Sequence, residues 1–135
     1  MLSEEEVPGA AQLTAKTILV VEDDEDTRAV FLEALSLLPP YTVHVTKNSS
    51  EALQFVTHTR PSLLLLDYRL PGNVNGITLY DQLHALPELE SIPAIIISAH
   101  ISETLTHESE SRKLIRLEKP FDLDVFLDTI MQALS

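Results

Sequence analysis

The sequence predicts an α/β fold: a doubly wound parallel sheet of five strands, each followed by a helix, (βα)5. Three observations predict it. Five short apolar runs recur along the chain, at 17–21, 41–45, 63–66, 94–97 and 114–117. A segment of helical character follows each one. Several runs are apolar at every position, as strands buried on both faces must be. Such alternation places helices on both sides of a parallel sheet, with right-handed crossovers.

Thr17-Ile18-Leu19-Val20-Val21 is the first strand, bounded by acids. Asp26 to Leu38 carries apolar residues at 30, 31, 34, 35 and 38, a helical spacing that Pro39-Pro40 stops. Tyr41 to Val45 is the second strand, with Val43 and Val45 on one face. Asn48-Ser49-Ser50 offers a cap for a short helix from Glu51 to Thr57. Leu63 to Leu66 is a third strand, ended by Asp67. A turn-rich loop, Leu70 to Gly76, leads to a helix from Ile77 to Leu86. Ala94 to Ile97 is the fourth strand, ended by Ser98. The helix expected from Ser102 to Lys113 has little apolar content beyond Leu105 and can bury little. Leu114 to Leu117 is the fifth strand. After Lys119-Pro120, Asp122 caps a last helix with apolar residues at 123, 126, 127, 130, 131 and 134. Residues 1–15 read as a disordered leader or linker, and 16–135 as one folded domain.

The chain of 135 residues has 9 Lys+Arg against 21 Asp+Glu, a net charge of −12, and no Cys. Disulfides, thiolate metal ligands and a thiol nucleophile are therefore excluded. The charge argues against direct nucleic-acid binding, which needs a basic surface, and against anionic membranes. No apolar run is long enough to span a bilayer, and the acidic start is unlike a signal peptide, so a cytoplasmic location is expected.

Open α/β sheets bind ligands beyond the carboxyl ends of their strands. Those ends carry Glu22-Asp23-Asp24 on the first strand, Asp67 on the third, Ser98 on the fourth and Glu118-Lys119-Pro120 on the fifth. Clustered carboxylates repel and raise one another's pKa unless a cation joins them. A hard divalent ion held by oxygen suits them: Mg2+, with Mn2+ as the alternative. A bland explanation stands beside this, since acids from Glu22 to Asp26 also favour a helix N-terminus. Asp67, alone after four leucines, has the chemistry of a nucleophile toward phosphorus. Lys119 and Ser98 are candidates to neutralise phosphoryl oxygens, although each is also an ordinary surface or turn residue when taken singly.

ILVVEDD, LLLLDYRLPG, IIISA and LEKPF, in this order, make residues 17–134 resemble the receiver domain of bacterial two-component response regulators. The resemblance implies a flavodoxin-like sheet with strand order 2-1-3-4-5. It implies that Asp67 is the phosphoacceptor. Asp23 would be a direct metal ligand, Glu22 a helper through water, and the backbone carbonyl of Arg69 a further ligand. Ser98 and Lys119 would act on the phosphoryl group, with Pro120 after a cis bond. The implied partners are a histidine kinase or histidine phosphotransfer protein, and a downstream protein target or output domain. The surface of the fourth helix, fifth strand and fifth helix would switch on phosphorylation and could also join a homodimer. Such a domain is not an enzyme on other substrates; it catalyses only its own phosphorylation and dephosphorylation.

Three departures from the family stand out. The glycine usual eight residues after the phosphoacceptor is replaced by Asn75, and Gly76 follows, so the loop looks one residue longer. Arg116 occupies the place of the usual Tyr or Phe; an Arg cannot bury as a ring does, and pairing with Glu103, Glu108 or Glu110 is the expected substitute. Arg69 and His100 stand where this family tunes phosphoryl lifetime. The other histidines, at 44, 58, 84 and 107, read as plain surface or strand residues. An Asp-nucleophile phosphatase would want an acid at position 69, which is Arg, and a metal nuclease would want a basic channel. A degenerate receiver, acting only as a phosphorylation-independent interaction or dimerisation module, remains the alternative.

Overall fold

The computed structural model describes residues 16–38, 41–72 and 74–135; the expected leader at 1–15, the Pro39-Pro40 stop and Asn73 lie outside them. Five parallel strands, β1 (Thr17–Val21), β2 (Thr42–Thr46), β3 (Leu63–Asp67), β4 (Ala94–Ser98) and β5 (Ile115–Glu118), form one sheet in the order β2-β1-β3-β4-β5. That is the flavodoxin-like order 2-1-3-4-5. The register pairs Val21 with Leu66 and Asp67 with Ile97, and places Ser98 opposite Glu118. Asp67 and Ser98 are thus the last residues of their strands rather than the first of the loops.

The helices are α1 (Glu25–Leu35), α2 (Ser49–Phe55), α3 (Gly76–His84), α4 (Glu103–Ser111) and α5 (Leu123–Leu134). Each begins where a short polar side chain accepts a bond from an orphan backbone N–H: Asp24 from Thr27, Asn48 from Glu51, Asn75 from Thr78, Ser102 from Leu105 and Asp122 from Val125. Such a cap contributes about 1 kcal/mol. Helix α1 ends at Leu35, earlier than its apolar spacing suggested, because Leu37 and Leu38 continue as turns bonded to the Ala34 and Leu35 carbonyls. A short 3-10 turn at Pro87–Leu89, not expected from the sequence, buries Leu89.

Strand alternation divides the core in two. Ile18, Val20, Leu63, Leu65, Ile95 and Ile97 pack with Phe31 and Leu35 of α1 and Phe126 and Ile130 of α5. Leu19, Val21, Leu64, Leu66 and Ile96 face Ala52 of α2, Leu79 and Leu83 of α3 and Leu105 of α4. Full burial of each such side chain stabilises the fold by roughly 1.5–3 kcal/mol, so the inner strands hold the rim above them rigidly. Helix α4 is the least apolar of the five: Leu105 is its one apolar residue, buried together with Ser109.

Candidate functional site

Glu22 lies one residue beyond Val21 and continues the alternation of Ile18 and Val20. Asp67 continues Leu63 and Leu65, and Lys119 continues Ile115 and Leu117; these apolar residues all belong to the core under α1 and α5. Parity alone therefore sends the three polar side chains to one side of the sheet. The Lys119 N–H donates to the Ser98 carbonyl at 2.8 Å, and the lysine side chain reaches across the end of β4. Its Nζ lies 3.3 Å from Glu22 Oε1 and 3.4 Å from Asp67 Oδ1. The Lys119–Pro120 bond is cis, as the motif implied.

Glu22, Asp23 and Asp67 each offer a carboxylate oxygen, and these oxygens all lie within 4.8 Å of one another. Glu22 is 1% exposed and Asp67 7%, while Asp23 faces solvent. Burial pushes the Asp67 carboxyl up to about 7, with the Glu22 charge adding to the rise and Lys119 opposing it. Burial would lower the Lys119 ammonium, but the Asp67 and Glu22 carboxylates outweigh it and raise its pKa. Three carboxylates so placed, one of them held partly protonated near neutral pH, carry more negative charge than one ammonium offsets. The donor set is all oxygen and open to water through Asp23, which fits a hard divalent cation.

The acidic run resolves into two jobs. Asp24 caps α1, accepting from the Thr27 N–H at 2.8 Å and from Thr27 Oγ1 at 2.6 Å, whereas Glu22 and Asp23 join Asp67. The helix-capping explanation thus holds for Asp24, while Glu22 and Asp23 lie beside Asp67.

Ser98 is buried, but its hydroxyl donates to the His100 carbonyl at 2.9 Å and accepts from the His100 N–H at 3.2 Å. It is the last residue of β4 and shares the parity of Ala94 and Ile96, on the side of α2, α3 and α4. Its hydroxyl is thus engaged with its own loop. The His100 side chain is exposed there, as is Arg69, two residues beyond Asp67. Arg116 is half-buried on β5; its Nη2 lies 3.8 Å from Glu110 Oε2 and its Nη1 donates to the Thr106 carbonyl at 3.4 Å. Of the three acids expected as its partner, Glu110 is the one met.

Asn75 caps α3, and Gly76 donates its N–H to the Tyr68 carbonyl at 2.8 Å. Two contacts were not legible in the sequence. Arg112 grips Asp81 of α3 through two bonds of 2.8 Å, tying α4 to α3. His84 is not a plain surface residue: its ring stacks on Tyr80 at 4.3 Å, and Nε2 lies 3.0 Å from the Tyr80 hydroxyl.

The family model of the response regulator receiver domain matches residues 18–131. The chain is 32% identical over 118 residues to sporulation initiation phosphotransferase F of Bacillus subtilis (strain 168), covering 87% of this chain and 92% of that protein. Among solved structures it is similar to the signal receiver domain of an HD domain-containing protein from Pseudomonas fluorescens Pf-5. There the TM-score is 0.80 and the identity 27%, over 89% of this chain and 94% of that one. The Mn(2+)-bound form of response regulator Rcp1 shares the fold, with a TM-score of 0.73 and 22% identity over 87% of this chain and 90% of that one. The fold and the rim define a receiver, and the chain belongs to the response regulator receiver domain family of two-component signal transduction.

Proposed function

We propose that the chain accepts a phosphoryl group on Asp67 from the phosphohistidine of a histidine kinase or histidine phosphotransfer protein. A carboxylate oxygen of Asp67 forms the new bond to phosphorus in line with the breaking P–N bond, and the imidazole departs as the leaving group. The observation that carries this is the convergence of Asp67, Glu22 and Lys119 Nζ within 3.4 Å contacts at the strand ends. Asp23 and Asp67, the Arg69 carbonyl, and Glu22 through water would hold Mg2+ or Mn2+. Such an ion, when bound, neutralises charge on the phosphoryl oxygens. That the structure of Rcp1, a protein of the same fold, is of an Mn(2+)-bound form supports this choice of ion. Lys119 stabilises the developing charge as a point cation.

The product adds up to two negative charges beside Lys119. The Ser98 hydroxyl then exchanges the His100 carbonyl for a phosphoryl oxygen, and the α4–β5–α5 surface shifts toward a state that a partner, an output domain or a second copy recognises. Arg116, held by Glu110 and Thr106, takes part in that shift in place of a buried ring. Arg69 and His100 tune the lifetime of the phosphoryl group. The domain catalyses only its own phosphorylation and dephosphorylation, in the cytoplasm; among the described residues no helix is long and apolar enough to cross a membrane. A degenerate module has less support, because the acids and the lysine that chemistry needs are together.

Intact-mass measurement after incubation with acetyl phosphate, with and without Mg2+, tests the reading. Wild type gains one phosphoryl group with Mg2+ and little without it, and Asp67→Asn gains none. A wild type that stays unmodified with Mg2+ would reject it in favour of the degenerate module.

A further inference from the structure

Arg28 stands in the first turns of α1, among acids at 22, 23, 24, 25 and 26. Yet among the described residues it makes no ion pair with any of them. Its Nη1 instead donates to two consecutive backbone carbonyls, Asp23 at 2.9 Å and Glu22 at 3.2 Å. In a chain with 9 basic residues against 21 acidic ones, a guanidinium used in this way is placed for geometry. A planar fork with fixed donors suits that task better than an ammonium.

The consequence follows from peptide planarity. In a trans peptide the carbonyl and the next N–H point in opposite directions. Holding the Asp23 carbonyl toward α1 turns the Asp24 N–H the other way, where it donates to Glu22 Oε2 at 3.2 Å. The other Glu22 oxygen receives Lys119 Nζ. Holding the Glu22 carbonyl as well fixes the second peptide plane flanking Asp23. Asp23, the exposed acid of the cluster, is thereby flanked by two peptide planes whose carbonyls are both held by Arg28.

We infer that Arg28 is a positioning residue of the receiver site: its grip on the Glu22 and Asp23 carbonyls orients the Glu22 and Asp23 carboxylates for a divalent cation. The inference rests on the proposed function of that cluster. It makes a prediction opposite in sign to simple electrostatics. A cation removed from beside a cation site relieves repulsion and tightens binding. A positioning group removed loosens it, by about tenfold or more for residues that orient metal ligands.

The experiment is calorimetric titration of the full chain with Mg2+ at neutral pH, for wild type, Arg28→Ala and Arg28→Lys, with urea unfolding alongside. Arg28→Ala should weaken Mg2+ binding about tenfold. Arg28→Lys, which keeps the charge but not the fork, should fall between it and wild type. It also serves as the second probe should the alanine variant fold poorly. Amide spectra without Mg2+ should show Asp23 and Asp24 displaced in both variants. Unchanged or tighter Mg2+ binding in both variants would overturn the inference. Failure of the proposed function reads differently: wild type would bind Mg2+ and shift with Arg28, yet remain unlabelled by acetyl phosphate.

Discussion

Gly76 lies against the backbone of Asp67: a Cβ at position 76 would fall 2.6 Å from the Asp67 carbonyl oxygen and 3.1 Å from the Tyr68 α-carbon. Both obstacles are main chain and cannot swing away. The first residue of α3 is thus wedged against the residue whose side chain forms the centre of the rim.

Replacing Gly76 with Ala should therefore destabilise the fold by about 1–3 kcal/mol, as overpacking does, and should also slow acetyl phosphate labelling of Asp67. Asn75→Ala, which removes only the cap, should cost about 1 kcal/mol and leave labelling near wild type. Urea unfolding and intact-mass time courses on the two variants separate the effects.

Stability should depend on pH through Asp67. Its carboxyl titrates near 7 in the folded protein against 3.8 ordinarily. The folded state keeps a proton that the unfolded chain releases. The favourable contribution is complete below about pH 4 and is lost as pH rises through 7. Asp67→Asn removes this dependence. The variant should be more stable than wild type above pH 7, by on the order of 2–4 kcal/mol at one pKa unit per 1.36 kcal/mol, with the gap closing toward pH 4. Urea midpoints across that range without divalent ions check it, and added Mg2+ should narrow the gap by stabilising wild type.

The Arg112–Asp81 pair should matter more to the motion of α4 than to global stability. Asp81 is half-exposed, so the pair contributes no more than about 1 kcal/mol overall. Helix α4 nevertheless has only Leu105 and Ser109 buried. Hydrogen exchange of the α4 amides should quicken several-fold in Asp81→Asn while exchange in β1 and β3 stays unchanged.

Ser98→Ala removes the hydroxyl bonded to the His100 backbone. Loss of its two bonds, to the His100 carbonyl and from the His100 N–H, should cost about 0.5–1.5 kcal/mol each. Labelling should still occur, since Asp67 and Lys119 remain. The α4 amide shifts that accompany labelling in wild type should shrink or vanish, as two-dimensional spectra would show.

Much of the fold and rim was legible because two simple regularities coincide. Strands apolar at every position announce a doubly covered sheet, and a polar residue ending such a run stands out: Asp67 after four leucines, Ser98 after three isoleucines. The glycine shift was legible as an extra loop residue. The cap at Asn75 follows the ordinary preference of asparagine for that place. What escaped were relationships between distant or backbone atoms. Arg112 and Asp81 are separated by 31 residues. The role of Arg28 leaves no mark in the sequence, because its partners are carbonyls, which every residue owns. The engagement of Ser98 with His100 depends on a side-chain choice that residue identity alone does not set.

The sheet acts as a partition between two compartments. Asp67, Glu22 and Lys119 open toward the compartment of α1 and α5, while Ser98 shares the parity of residues facing α2, α3 and α4. A chemical change made in the first chamber therefore meets, at the very edge of the wall, a hydroxyl already standing in the second. Under the proposed function, a phosphoryl group on Asp67 would have a short path to α4, whose one apolar side chain is Leu105, without any strand having to bend.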